Sequence, residues 1–341
     1  MQHFITMKIA SAFALDPKSR DLIQRAAPDA EIVDRQCASP DEVADLAAGG
    51  CDIIMTFLVP DHLLTVAPNL KWIQLFSAGA DHMLNGPVGA PPLRITTTSG
   101  IHAVSIAEFI MTMILMHSHR FNITSRAQYS HQWVKAHNFM GTADSIRGKT
   151  IGIVGYGSIG RETARIAQSM GLEVIALKRD PGQREDQGWT PGGIGDPHGE
   201  IPSVIVGPED RAELIRRSDY IAVTLPLTAA TRRFIGAAEI TAMKPNAFLV
   251  NIGRGPVIDQ TALVEALQHK RIGGAGLDVF ETEPLPNDSP LWDLEEVIMT
   301  PHMAGPFRSY LRLACELFAE NLRRYLSGQP LFNEIDRKLG Y

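Results

Sequence analysis

Short apolar runs alternate with segments of helical spacing along the first hundred residues. The predicted strands here are Lys8–Phe13, Glu31–Val33, Asp52–Met55, Lys71–Leu75 and Arg94–Thr97. One helix is predicted at Asp16–Ala27, where Asp16 and Pro17 suit the N-cap and first-turn positions, and another at Pro40–Ala48, which Gly49 ends. Strands that alternate with helices predict an α/β fold whose parallel sheet is covered on both faces.

The same alternation continues in the rest of the chain. Residues 101 to about 129 have apolar side chains at helical spacing and no early breaker, which predicts one long helix leading into a second domain. The later predicted strands are Thr150–Val154, Glu173–Lys178, Tyr220–Leu225, Ala247–Asn251, Gly274–Asp278 and Val297–Thr300. Residues 181–208 are rich in Gly and Pro and predict a long surface loop, and residues 306–326 predict a final amphipathic helix.

Composition excludes several classes of protein. A chain of 341 residues can form two domains, and 45% hydrophobic with 21% charged residues is typical of a globular protein. A net charge of −6 with interspersed signs offers no basic surface for nucleic acid or an anionic membrane. The sequence shows no bilayer-spanning stretch, no signal-peptide pattern and no CxxC among its 3 cysteines. We therefore expect a cytoplasmic protein with reduced thiols and no metal site.

The segment Gly155-Tyr156-Gly157-Ser158-Ile159-Gly160 lies between a predicted strand and a predicted helix. In such an arrangement, backbone N–H groups and the helix N-terminus bind a pyrophosphate. Gly155 permits the tight turn, Gly157 lets the backbone approach the phosphates, and Gly160 lets the helix pack closely on the strand. The motif predicts dinucleotide binding, and a plain connecting turn is the alternative.

The residues after the second strand of this unit bear on which dinucleotide is bound. NAD-binding units usually place an acidic residue there, which bonds the ribose 2′-hydroxyl. Here Lys178 and Arg179 occupy the position, and two cations suit a 2′-phosphate, so the sequence predicts NADP in preference to NAD. Asp180 is the counterargument, because a shifted turn could bring it to the ribose. The two cations could also be solvated loop charges.

Three polar residues, Arg254, Glu283 and His302, each follow a predicted strand. Because parallel strands end at one edge of a sheet, a guanidinium, a carboxylate and an imidazole should meet there. Arg254 can hold a carboxylate with two parallel hydrogen bonds, His302 can protonate a developing alkoxide, and Glu283 favours the imidazolium and fixes its tautomer. The set predicts hydride transfer between nicotinamide and a 2-oxo acid, although each residue alone could be a surface or loop residue.

These residues, with the segments at 76–81, 100–108 and 225–228, resemble the D-isomer-specific 2-hydroxyacid dehydrogenase family, which includes glyoxylate and hydroxypyruvate reductases. The resemblance covers nearly the whole chain. It implies two doubly wound parallel-sheet domains, in which a Rossmann nucleotide domain (residues 105–304) is inserted into a flavodoxin-like substrate domain (residues 1–104 and 305–341). It also implies a homodimer and a small 2-oxo or D-2-hydroxy acid as substrate.

The resemblance also assigns residues to roles. Arg254, Glu283 and His302 match the family's catalytic residues, and the loop Ser77-Ala78-Gly79 matches the one whose backbone N–H groups, together with Arg254, receive the substrate carboxylate. Asp278 matches the residue that bonds the nicotinamide carboxamide. The positions assigned to the cofactor are Gly155, Tyr156, Gly157, Ser158, Ile159, Gly160, Lys178, Arg179, Leu225, Pro226, Ile252, Gly253, Asp278 and Gly305. Trp133 could reach the partner's active site or serve only as an anchor of the dimer interface.

Two alternative functions stay open at this point. A phosphite-dehydrogenase-like enzyme keeps a similar set of three residues on the same fold, whereas a formate-dehydrogenase-like site pairs its His with Gln, so Glu283 argues against it. A co-repressor-like protein would sense nicotinamide and bind cofactor with little or no turnover.

Overall fold

The structure is a computed structural model that describes residues 6–80, 83, 86, 88, 92–305 and 307–338. Two residues of the sequence analysis lie outside these ranges: Asp81, which ends one family motif, and Pro306, the expected start of the last helix. The strands are β1 Lys8–Ser11, β2 Glu31–Asp34, β3 Ile53–Thr56, β4 Trp72–Leu75, β5 Arg94–Thr96, β6 Thr150–Val154, β7 Glu173–Leu177, β8 Val204–Val206, β9 Tyr220–Val223, β10 Phe248–Asn251, β11 Gly274–Leu277 and β12 Val297–Met299. The α-helices are α1 Pro17–Ala26, α2 Pro40–Ala48, α3 Leu63–Val66, α4 Ala103–Ser118, α5 Phe121–Tyr129, α6 Ser158–Ser169, α7 Arg211–Arg217, α8 Ala237–Thr241, α9 Gln260–Gln268 and α10 Tyr310–Leu326.

The described residues form two compact units. The first lies within Met1–Ile101, Gln187–Pro191 and Phe307–Tyr341, and the second within His102–Asp186 and Gly192–Pro306.

The first unit is a parallel sheet with helices packed on it. Its strand order is β2-β1-β3-β4-β5, the order of flavodoxin-like folds. Trp72 of β4 and Phe318 of α10 lie in the core with ring centroids 5.1 Å apart, and α1 packs beside α10. The apolar side chains that defined the strands in the sequence are therefore those that bury the two sheet faces.

The second unit is built around a longer parallel sheet with the order β12-β11-β10-β9-β6-β7-β8. Counted from β6, this is the Rossmann order extended by one strand, and the order reverses between β6 and β9. Separate apolar clusters cover the two faces, one containing Leu249 and Leu277 and the other containing Ile153 and Phe248. The predicted α/β class with two doubly wound parallel sheets is confirmed.

The prediction of a single helix from residue 101 to about 129 is wrong. It is two helices, because Arg120 adopts a left-handed φ of 59° and ends the regular hydrogen bonding after α4. Asn122 of α5 then donates a hydrogen bond to the Glu295 carbonyl at 2.9 Å. Nothing in the local apolar pattern signals this break.

The stretch from 181 to 208, expected to be a surface loop, contains the edge strand β8. It also contains Asp196, which is buried. The final helix begins at Tyr310, a turn later than expected. Among the described residues, no helix is both long and apolar enough to cross a bilayer.

Candidate active site

The glycine turn joins β6 to α6, as its sequence predicts. Gly155 has a φ of 112°, which a residue with a side chain rarely adopts. The backbone N–H groups of Gly155 and Tyr156 both donate to the Leu177 carbonyl, at 3.1 and 3.0 Å, so the turn lies directly beside the end of β7. Gly160 packs against the Gly155 carbonyl so closely that no Cβ fits between them. These contacts fix the N-terminus of α6 over the end of the sheet.

The glycines of this turn should tolerate substitution differently. A Cβ on Gly157 would have no neighbour within 4 Å, whereas one on Gly160 would collide with the Gly155 carbonyl. We expect Gly157→Ala to unfold in urea like the wild type but to bind dinucleotide about tenfold more weakly, because the methyl group would occupy the space that the motif predicts for the phosphates. Gly160→Ala should lower the free energy of unfolding by about 1–3 kcal/mol through overpacking.

Urea unfolding and calorimetric titration with NADP+ of both variants test this prediction. Wild-type affinity for NADP+ in Gly157→Ala would contradict it.

The two cations after β7 differ in their surroundings. Lys178 is half-buried, and its ammonium donates to the Gln183 carbonyl, whereas Arg179 is exposed. Burial and the neighbouring Arg161 guanidinium lower the pKa of Lys178. The Asp180 carboxylate accepts a hydrogen bond from the Gly182 N–H at 2.9 Å, so it closes its own turn.

The remaining positions assigned to the cofactor follow neighbouring strands of the same sheet. Leu225 and Pro226 follow β9, and Ile252 and Gly253 follow β10. The Ile252 N–H donates to the Val223 carbonyl at 3.3 Å, and a Cβ on Gly253 would meet the Leu225 carbonyl. These backbone contacts join the ends of β9 and β10 beside the turn that leads into Ser158 and Ile159.

Tyr156 differs from its neighbours in the glycine motif because its side chain points into the protein. Its side chain is buried, and its hydroxyl donates to the Asp196 carboxylate at 2.6 Å. The ring therefore packs inside the protein, away from the solvent-exposed Gly157.

Asp278, at the end of β11, organises the loop that carries His302. Its buried carboxylate accepts hydrogen bonds from the Thr300 hydroxyl at 2.6 Å and from the N–H groups of Met303 at 2.9 Å and Ala304 at 3.0 Å. Its carbonyl accepts from the His302 N–H at 2.8 Å. Sequence reasoning assigned Asp278 only to the carboxamide and missed this role. The signal it could have used is an acidic residue directly after an apolar strand, where a buried polar group needs hydrogen-bond partners.

His302 and Glu283 form a direct pair. The imidazole Nδ1 lies 2.7 Å from Glu283 Oε2, and the other carboxylate oxygen accepts from the Phe280 N–H at 2.9 Å. A carboxylate only accepts hydrogen bonds, so Nδ1 carries the proton and Nε2 is left to exchange a proton with a ligand. His302 has a φ of 51° and a side chain that is 50% exposed, so a ligand can reach the imidazole.

Arg254 lies on the loop after β10, beside the Glu283 loop. Asn251 braces this loop by donating to the Arg254 carbonyl at 3.1 Å and accepting from the Gly253 N–H at 3.1 Å. The next residue, Gly255, packs directly on the Phe280 backbone, where no side chain would fit. The second unit thus brings Arg254, Glu283 and His302 to one edge of its sheet, as strand topology predicts.

His102, at the start of α4, is buried beside Gly305, whose Cβ position would lie 3.6 Å from the imidazole Cδ2. Burial lowers the pKa of His102 to about 4, so this ring is neutral near pH 7.

The loop Ser77-Ala78-Gly79 lies in the first unit, directly after β4. The Ser77 hydroxyl donates to the Gly79 carbonyl at 2.7 Å, and the Ser77 carbonyl accepts from the Thr98 N–H at 3.0 Å. Within the described ranges, the three backbone N–H groups of this loop make no hydrogen bond. They are therefore available to an anionic ligand.

Comparison with known proteins identifies relatives along most of the chain. The profile of the D-isomer-specific 2-hydroxyacid dehydrogenase NAD-binding domain matches residues 111–304. A glyoxylate reductase of Thermofilum pendens is 34% identical over 279 residues, which are 81% of this chain and 78% of the relative. An (S)-sulfolactate dehydrogenase of Chromohalobacter salexigens is 30% identical over 269 residues, 79% of this chain and 81% of the relative.

Solved structures are similar over nearly the full length. A D-isomer-specific 2-hydroxyacid dehydrogenase of Xanthobacter autotrophicus in complex with NADPH and MES is 26% identical with a TM-score of 0.77, covering 98% of this chain and 100% of the other. An NADPH-dependent glyoxylate/hydroxypyruvate reductase of Sinorhizobium meliloti in complex with NADP and sulfate is 25% identical with a TM-score of 0.76, again covering 98% and 100%.

Proposed function

Because the chain belongs to the D-isomer-specific 2-hydroxyacid dehydrogenase family and is an NAD(P)-dependent oxidoreductase, we propose that it reduces a small 2-oxo acid of the glyoxylate or hydroxypyruvate type with NADPH. The observation that carries this proposal is the His302–Glu283 contact of 2.7 Å on a loop that Asp278 holds in place. The relatives named as glyoxylate and hydroxypyruvate reductases support the substrate class.

Each residue has a chemical task in this proposal. The bound nicotinamide supplies the hydride. The Arg254 guanidinium binds the substrate carboxylate and polarises the carbonyl. His302 donates the Nε2 proton to the developing alkoxide, and Glu283 stabilises the imidazolium before that transfer.

The residues present also fit a dinucleotide. The open space at Gly157 and the helix N-terminus at Ser158 suit the pyrophosphate, and the segments at 225–226 and 252–253 lie beside them. We assign the nucleotide to the second unit.

Initial rates of NADPH and NADH oxidation against glyoxylate, hydroxypyruvate, pyruvate and phenylpyruvate test the proposed function. We expect rapid NADPH oxidation with one of the two-carbon or three-carbon acids. Cofactor binding without turnover of any acid would contradict the proposal and favour a nicotinamide sensor. NAD(P)+ reduction by phosphite alone would favour the phosphite-dehydrogenase-like alternative.

The preference for NADPH is argued from the end of β7. Lys178 and Arg179 stand where an NAD-binding unit has an acid, and Asp180 is engaged with the Gly182 N–H. We expect the double variant Lys178→Asp/Arg179→Ala to lower kcat/KM for NADPH at least tenfold and to raise the relative use of NADH. The new carboxylate would repel the 2′-phosphate of NADPH, and it could accept a hydrogen bond from the 2′-hydroxyl of NADH. The ratio of kcat/KM for the two cofactors is the measurement, and an unaltered ratio would contradict the assignment.

We also propose that the protein is a cytoplasmic homodimer that pairs through residues 121–140. This segment exposes large apolar side chains: Trp133 is 93% exposed, and Phe121, Tyr129 and Met140 are also exposed. Exposed apolar clusters of this kind mark protein interfaces. Sedimentation at several concentrations should show a dimer that Trp133→Asp weakens, and a wild-type protein that sediments only as a monomer would contradict this.

A further inference from the structure

The segment between β7 and β8, residues 178–203, is here called the β7–β8 loop, and it has an internal hydrogen-bonded framework. The Asp186 N–H donates to the Pro197 carbonyl at 2.8 Å, and the Arg184 guanidinium donates to the Gly199 carbonyl at 2.9 Å. Two parts of the loop that are more than ten residues apart are thereby joined. The loop begins at Lys178, the first of the two cations assigned to the cofactor 2′-phosphate.

Asp196 is the centre of this framework. Its buried carboxylate accepts hydrogen bonds from the Tyr156 hydroxyl at 2.6 Å and from the N–H groups of Glu200 and Ile201, both at 3.0 Å. Burial alone would raise the pKa of Asp196, but these hydrogen bonds outweigh it and hold the pKa below its ordinary value. Asp196 is therefore a fully engaged carboxylate that ties the loop to the glycine motif.

Two buried charges at the start of α6 hold the same loop. Arg161 is 1% exposed, and it donates to the carbonyls of Asp196 and Arg184. Glu162, also 1% exposed, accepts from the Gly195 N–H at 2.7 Å. Such charges are buried only where their partners are fixed, so the loop conformation and the first turn of α6 determine each other.

The framework extends to Lys178, the first of the two cations assigned to the cofactor 2′-phosphate. The Lys178 ammonium donates to the Gln183 carbonyl, next to Arg184, so its position depends on the loop that Arg161 and Asp196 hold. Lys178 is half-buried near the Arg161 guanidinium. An additional anion would stabilise these two neighbouring positive charges.

We propose that Asp196 and Tyr156 are positioning residues for cofactor specificity: they hold the β7–β8 loop in the conformation that presents Lys178 and Arg179 to the adenosine 2′-phosphate. This inference rests on the proposed preference for NADP. It separates Tyr156 from the other residues of the glycine motif, because its side chain serves the loop and not the pyrophosphate.

The test is calorimetric titration of NADP+ and NAD+ into the full-length wild type, Asp196→Asn and Tyr156→Phe. Tyr156→Phe removes a single oxygen and with it the hydrogen bond to Asp196, so it tests the proposal even where Asp196→Asn does not fold. We expect each variant to bind NADP+ about tenfold more weakly while NAD+ affinity changes less than about twofold. The exposed Glu185, whose carboxylate lies 3.1 Å from His198 Nδ1, supplies the control Glu185→Gln, with wild-type affinity for both cofactors.

A second measurement distinguishes positioning from general stabilisation. In a Lys178→Ala/Arg179→Ala background, adding Tyr156→Phe should change NADP+ affinity less than about twofold, because the cations it positions are gone. Equal weakening of both cofactors, or a full tenfold loss in that background, would overturn the proposal. If the wild type binds NAD+ more tightly than NADP+, the proposed cofactor preference itself is wrong. This result needs no variant, so it can be distinguished from a failure of the positioning proposal.

Discussion

Replacing His302 by alanine is expected to lower kcat for reduction of the 2-oxo acid by about 100- to 10,000-fold, the usual effect of losing a general acid. The half-exposed imidazole is the group that can supply a proton from Nε2 while Nδ1 is held by Glu283 at 2.7 Å. The loop itself should persist, because Asp278 holds it through the backbone N–H groups of His302, Met303 and Ala304. Affinity for NADP+ should therefore stay within about twofold of wild type.

Steady-state kinetics with the preferred 2-oxo acid and calorimetric titration of NADP+ measure the two quantities. The chain contains a matched imidazole–carboxylate pair outside the site, His198 with Glu185 at 3.1 Å, so His198→Ala is the control and should keep full activity. An unchanged kcat in His302→Ala would remove His302 from the mechanism.

Changing Arg254 to lysine should raise KM for the 2-oxo acid by about 10- to 100-fold. The guanidinium can form two parallel hydrogen bonds to a carboxylate, whereas an ammonium is a point charge, and a hydrogen bond to a charged group contributes about 1.5–3 kcal/mol. The backbone at Arg254 should not move, since Asn251 braces it from two sides. The expected loss is therefore in substrate binding and carbonyl polarisation, with cofactor affinity retained.

The measurement is KM and kcat with saturating NADPH. Arg271→Lys is the matched control, because Arg271 makes a surface ion pair with Glu265 at 2.8 Å and lies outside the site. If Arg254→Lys has the wild-type KM, the assignment of the substrate carboxylate to Arg254 is wrong.

The sequence predicted well wherever the determining interactions are local. Each strand of the two sheets except β8 appears as a short apolar run, and α2 runs from Pro40 to Ala48 and ends before Gly49, as predicted. The glycine motif was recognised because it lies within six consecutive residues, of which Gly155 has a positive φ and Gly160 leaves no room for a Cβ. The meeting of Arg254, Glu283 and His302 followed from one rule of topology, that parallel strands end at the same edge.

Predictions failed where a distant contact decides the local conformation. The break at Arg120 accompanies contacts of α5 with residues 294 and 295, more than 160 positions later. Strand β8 lies at the end of a Gly- and Pro-rich stretch that predicted a loop, and it pairs with β7. Local propensity cannot report a conformation that tertiary contacts impose.

The sequence by itself therefore determined the α/β class, the dinucleotide motif, the family and the residue types available for chemistry. The patterns that indicate them consist of residues that lie close together in the chain. Only the tertiary structure decided how those residues are held. Asp278 fixes the His302 loop across 26 positions, and Tyr156 reaches Asp196 across 40. Buried polar groups must find hydrogen-bond partners wherever the fold brings them, and the partner's place in the chain is set by packing, which no local pattern records.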